Sequence, residues 1–185
     1  SLVQMKDSYS DIRSFRLKGT KYQKMYELGN NFSRILEERV PIMVAIEGYS
    51  YSSRNQRETL GEVSYAVKNE LIRSLYNIPC LIIPPLTLKK FILEKTSRGV
   101  HKSEIHKKIK KEWNIASKNN DQSDAYALSI ICLNIYNIIK SFDLPKNPSD
   151  KFIMKLLKKS PIKTLSDARW QVICSIIMND GSEID

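Results

Sequence analysis

Apolar and polar positions fall into blocks along this chain, and the period of each block predicts its element. From Lys21 to Glu38 the apolar residues Tyr22, Met25, Leu28, Phe32, Ile35 and Leu36 recur at three and four, which predicts an amphipathic helix weakened slightly by Gly29. Before it, Ser1 to Met5 is a short apolar-polar fragment, KDSYSD is rich in turn formers, and Ile12 to Leu17 alternates like a half-buried strand. Ile42 to Ile46 is an unbroken apolar run between Pro41 and Gly48, predicting a strand buried on both faces with Glu47 at its end. Leu60, Val63, Val67, Leu71 and Leu75 mark a second helix, from about Thr59 to Tyr76, and Cys80 to Ile83 is another short buried strand, stopped by Pro84 and Pro85. A short helix follows from Thr87 to Leu93. Ser103, Ile105, Ile109 and Trp113 predict a helix whose other face is lysine. The stretch from Asp121 to about Phe142 is apolar almost all round, so it should be buried against a sheet. Strands and helices in this order predict an α/β fold with a mixed sheet and flanking helices. Pro145 and Pro148 mark a linker, beyond which Asp150 to Lys159 and Thr164 to Met178 predict two amphipathic helices and GSEID a frayed tail. The chain thus divides into a main domain, 1–143, and a small helical C-terminal extension, 144–185.

Composition narrows the classes. Thirty Lys and Arg against twenty Asp and Glu leave a formal charge of +10, enough to attract a polyanion, although a solvated lysine face accounts for the number equally well. Cys80, Cys132 and Cys174 are far apart in apolar surroundings and read as buried free thiols of a reducing compartment. His101 and His106 do not make a metal site. No apolar run approaches the length of a membrane span and no signal peptide opens the chain, so the expectation is a cytoplasmic protein without a membrane partner.

The acidic residues suggest chemistry. A carboxylate at the end of a buried strand needs a partner, a hydrogen bond or a metal, unless the strand has simply ended and Glu47 stands in water. Asp121 and Asp124 are three apart at the start of the apolar helix and share one face near its positive end. Asp121 is also a natural N-cap, whereas Asp124 sits inside the first turn of a nearly all-apolar helix, where an unpaired charge is expensive. Together the three carboxylates would suit Mg²⁺ or Mn²⁺, and two such ions can stabilise both the attacking and leaving oxygens of a phosphodiester. A metal nuclease on a basic protein is the expectation that follows.

VAIEGYS around Glu47, the Leu60–Gly61 helix, IIPPLTLKKF, VHKSEI and DQSDAYALS, in that order, resemble the RuvC-type Holliday junction resolvases, especially their phage members. The resemblance spans roughly Ile12 to Tyr136. It implies a ribonuclease H-like fold, a homodimer, and symmetric cutting of four-way DNA junctions with two Mg²⁺ or Mn²⁺ ions. By position it assigns Glu47, Asp121 and Asp124 as metal ligands, and Lys102 and Lys89 as basic residues near the scissile phosphate. One departure stands out: the family's opening strand, of the form GIDPS with the first metal ligand, has no counterpart here, and Ile12 falls at the family's third strand. Asp7 and Asp11 do not replace that acid. Either the sequence is truncated or the ligand is lost, in which case junction binding outlives cleavage.

On this reading Arg54, Arg57, Lys89, Lys90, Arg98, Lys102, Lys107 and Lys108 would hold the phosphates of branched DNA without reading sequence. Tyr49 and Tyr51 would stack on bases exposed at the crossover, or pack within their own loop. The apolar stripe of the second helix would either cover the sheet or pair with a twofold mate. Two alternatives remain: a non-catalytic branched-DNA-binding module on the same fold, and a nuclease of flaps or branched replication intermediates.

Overall fold

The structure is a computed structural model, and it describes residues 2–6, 9–15, 17–48, 57–74, 76, 78–94, 100–115, 118–141 and 166–180. It opens with an antiparallel hairpin, β1 (Leu2–Lys6) and β2 (Tyr9–Arg13), in which Leu2 pairs with Arg13 and Lys6 with Tyr9. The expected strand at 12–17 therefore ends earlier and begins earlier, because pairing with β1 recruits part of the turn-rich KDSYSD into the ladder. Helix α1 (Lys21–Glu38) starts at a capping box: Gln23 donates its amide to Thr20 Oγ1 at 3.4 Å and accepts the Thr20 amide at 2.8 Å on Oε1.

Strand β3 (Val44–Glu47) then pairs in parallel with β4 (Cys80–Ile83), Glu47 opposite Ile83, with α2 (Arg57–Arg73) between them in the chain. Parallel neighbours need such a crossover, since a tight turn cannot bring the chain back to the same end. Alternation splits the pair between two layers. Val44 and Cys80 pack beside Phe32, Leu36 and Leu71 of α1 and α2, while Ala45, Leu81 and Ile83 join the larger core on the other side. Apolar side chains pack on both faces, but the strand begins only at Val44, Ile42 is exposed, and Val44, Ala45 and Ile46 are half-buried rather than buried, because two strands alone, among the described residues, leave the sheet's edges open. The single mixed sheet is replaced, among the described residues, by two separate two-stranded sheets.

The larger core is built by helices. Pro85 at the first position starts α3 (Pro85–Leu93), and Glu94 in a left-handed conformation ends it. His101 caps α4 (Lys102–Trp113), which turns Ile105 and Ile109 inward. The long α5 (Asn120–Ser141) lies against β1, β2 and β3 and against α3 and α4, with Ala127, Ile131 and Ile135 essentially out of solvent. Helix α6 (Asp167–Asp180) adds Val172, Ile173 and Ile176 to the same core and packs on α3 and α5. The expected helix at 150–159 lies outside the described residues. No described helix is long and apolar enough to cross a membrane.

Candidate functional site

The first turn of α5 is fastened to several other elements. Asn119 caps it, accepting the Gln122 amide on Oδ1 at 2.9 Å, so the capping role expected of Asp121 belongs to Asn119. Asp121 is left exposed at the second position of the helix, and Asp124 is half-exposed, so the burial that made its charge expensive is only partial. Between them, Gln122 and Ser123 are buried and tied to other elements. Gln122 donates to Ser14 Oγ at 2.9 Å and accepts the Lys118 amide at 2.6 Å. Ser123 meets His106 Nδ1 across from α4. Burial, reinforced by the nearby Lys110 ammonium, holds His106 below the usual imidazole range.

Glu47 stands exposed at the end of β3, the strand α5 packs against, so the argument from a buried charge does not apply to it. The structure thus sets both aspartates on one turn and sets that helix on the strand of Glu47. Among the described residues, no three His, Cys, Asp or Glu side chains come close enough to hold one ion.

The basic residues fall into three groups. Lys107 and Lys90 project into solvent from α4 and α3, which pack on each other, and Lys89 is half-buried beside Lys90. Lys108 is partly engaged, its ammonium 3.9 Å from Glu94. Arg57 opens α2 and Lys102 opens α4, but their side chains, like all of Tyr49, Tyr51, Arg54 and Arg98, lie outside the described residues.

The apolar stripe of α2 divides. Val67 and Leu71 face α1 and are core, whereas Ile72 (82% exposed) and Tyr65 (66%), one heptad apart, share a different, outward face. Beside them runs an open groove of about 580 Å³ lined by Lys68, Leu71, Ile72, Ile78, Cys80 and Ile82.

Pattern reading missed Arg169. Its side chain on α6 is buried, with Nε donating to the Phe91 carbonyl at 2.9 Å and Nη2 to the Ile92 carbonyl at 3.3 Å. Both terminal nitrogens grip Glu112 of α4, Nη2 at 2.7 Å, and Nη2 lies 3.2 Å from Glu94. The guanidinium also sits 4.9 Å over the Trp113 ring and 5.3 Å over Phe91. The only sequence signal is an arginine next to Trp170 in an otherwise apolar stretch, which specifies no partner.

The fold and site define an α/β chain with two carboxylates on a pinned helix start and lysines on neighbouring helices. No protein-family model and no curated protein matches it. Among solved structures it is similar to Thermus thermophilus RuvC in complex with a Holliday junction substrate (13% identity, TM-score 0.49, covering 65% of this chain and 73% of that one). It is also similar to a second solved structure of Thermus thermophilus RuvC (13% identity, TM-score 0.49, covering 68% of this chain and 78% of that one). A likeness at this level carries no residue role and no activity across.

Proposed function

We propose that this chain is a structure-specific DNA endonuclease that resolves four-way junctions, on a ribonuclease H-like fold, with divalent metal, Mg²⁺ or Mn²⁺, as its cofactor. The observation that carries the reading is the α5 start, where Asp121 and Asp124 share one turn of a helix lying on the strand that ends at Glu47. The chain's own part in DNA binding is electrostatic. Lys90 and Lys107 meet phosphates from exposed positions and Lys89 from a half-buried one, and Lys102, Arg54, Arg57 and Arg98 are the further phosphate contacts of this reading. Lys108 contributes less, because Glu94 already neutralises part of its charge. Tyr49 and Tyr51 stack on unpaired bases. The protein works as a homodimer in which the outward face of α2, with Tyr65 and Ile72, meets its twofold mate; the charge-poor groove beside it supports that contact. Residues 144–185 form an extension whose final helix docks on the domain 1–143 through Arg169.

A second reading, a branched-DNA-binding module without catalysis, is favoured by the finding that no three His, Cys, Asp or Glu side chains group to hold an ion among the described residues. Nicking of a labelled four-way junction and of a matched linear duplex, with Mg²⁺ or Mn²⁺, decides between them. Paired cuts in the junction alone, abolished by Glu47→Gln and by Asp124→Asn, establish the resolvase. Tight junction binding without cutting establishes the module, and preference for flaps over junctions replaces both with a flap nuclease.

A further inference from the structure

Ser123 sits between Asp121 and Asp124 and is wholly buried, so its hydroxyl must find partners inside the protein. It has two. The Asn119 carbonyl lies 3.3 Å away within the same turn, and His106 Nδ1 reaches it from α4, 17 residues earlier in the chain. One proton arrangement accommodates both contacts at once: Nδ1–H of a neutral His106 donates to Ser123 Oγ, and the Ser123 hydroxyl donates onward to the Asn119 carbonyl. This tautomer is assigned from the network. It leaves Nε2 as the ring's acceptor. Burial and Lys110 both favour the uncharged ring.

The position matters more than the bond. Gln122 fastens the turn to Ser14 beyond β2, but His106 is its tie to α4, the helix that carries Lys102, Lys107 and Lys108. A helix start held from one side can still pivot, and a second tether from another element removes that freedom. We infer that His106 is a positioning residue: through Ser123 it fixes the aspartate-bearing turn relative to the lysine-bearing helix, so that carboxylates and phosphate contacts keep one geometry. The inference deepens the proposed function and rests on it for its effect on cleavage, though the tether itself does not.

The test uses the full chain and three variants. His106→Phe keeps a planar ring and removes both nitrogens; His106→Asn puts an amide donor close to the place of Nδ1; Ser123→Ala removes the acceptor. Amide hydrogen exchange over residues 118–126 is read first, because it requires no activity. Loss of one hydrogen bond of ordinary strength should speed local opening there about five- to tenfold in His106→Phe, and at least as much in Ser123→Ala, which also loses the bond to the Asn119 carbonyl, with the double variant no faster than Ser123→Ala. His106→Asn should restore most of the protection. Cleavage of a four-way junction is read second. In His106→Phe the single-turnover rate at saturating enzyme should fall about tenfold while the junction dissociation constant stays within twofold, and Asn should recover the rate. Exchange over 118–126 unchanged in both single variants overturns the tether. Faster exchange with an unchanged cleavage rate overturns the positioning role alone. If the wild type cuts nothing, the functional reading fails, and the exchange arm still decides whether His106 holds the turn.

Discussion

Replacing Arg169 by alanine tests whether α6 is held by its guanidinium. The side chain is 5% exposed and makes two hydrogen bonds to carbonyls of α3, a bidentate grip on Glu112 and a contact with Glu94. Two ordinary hydrogen bonds are worth about 1 kcal/mol each and the charge-assisted pair roughly 1.5–3 kcal/mol. Against that, Arg169 loses its own hydration on folding, which offsets part of the sum. Removing one member of a buried pair typically costs about 3–5 kcal/mol, because the other charge is stranded. Here the carboxylates are not fully stranded: Glu112 and Glu94 keep 29% and 32% of their side-chain surface and can turn to water. The low end applies, about 3 kcal/mol, and for a chain of this size that shifts the melting midpoint by roughly 6–12 °C. Arg169→Lys keeps the charge but not the planar fork, so it should lose roughly half as much. Arg169→Met combined with Glu112→Leu should lose less than Arg169→Ala, since Glu112 goes with its partner and the remaining carboxylate, Glu94, still has Lys108 3.9 Å away. Urea titrations followed by circular dichroism measure all three. An Arg169→Ala midpoint within about 0.5 kcal/mol of wild type, the range of ordinary surface substitutions, would refute the reasoning.

Junction affinity should fall steeply with salt, and Lys90→Ala and Lys107→Ala should each lower the log–log slope by about 1 in fluorescence-anisotropy titrations at several ionic strengths; a flat titration removes the electrostatic account. Ile72→Asp, on the outward face of α2, should convert a dimer to a monomer in sedimentation while leaving the circular dichroism spectrum unchanged, and a wild type that sediments as a monomer defeats the interface. Burial, together with neighbouring Cys80, pushes the Cys132 thiol up to about 12, and burial also raises Cys174. Since the thiolate is the reactive form, a raised value leaves almost none of it at pH 8. Both thiols should therefore react with a disulfide reagent far more slowly in the native protein than in denaturant. Labelling of Cys132 at the rate of an unfolded thiol contradicts its burial.

Much of the framework was legible from pattern alone. The three-and-four spacing from Tyr22 to Leu36 and the apolar length of α5 announced those helices, because periodicity is a local property that burial rewards wherever the helix docks. Short runs such as Ile42 to Ile46 were legible as strands but not in their depth, since burial depends on how many neighbours the sheet has. Of the site, the two aspartates and their shared turn were visible in DQSD. Their exposure was not: that follows from Asn119 taking the cap and from Gln122 and Ser123 turning inward.

By itself, then, the order of residues determined the elements, the basic balance and the pairing of Asp121 with Asp124, each a matter of spacing within a few turns of chain. What meets what was decided only by tertiary structure. His106 reaches Ser123, Gln122 reaches Ser14 across 108 residues and Arg169 reaches Glu112 across 57, because α5 and α6 bring distant segments to hydrogen-bonding distance. No local pattern encodes such contacts. A buried polar side chain states that it needs a partner, and only the packed chain supplies which one.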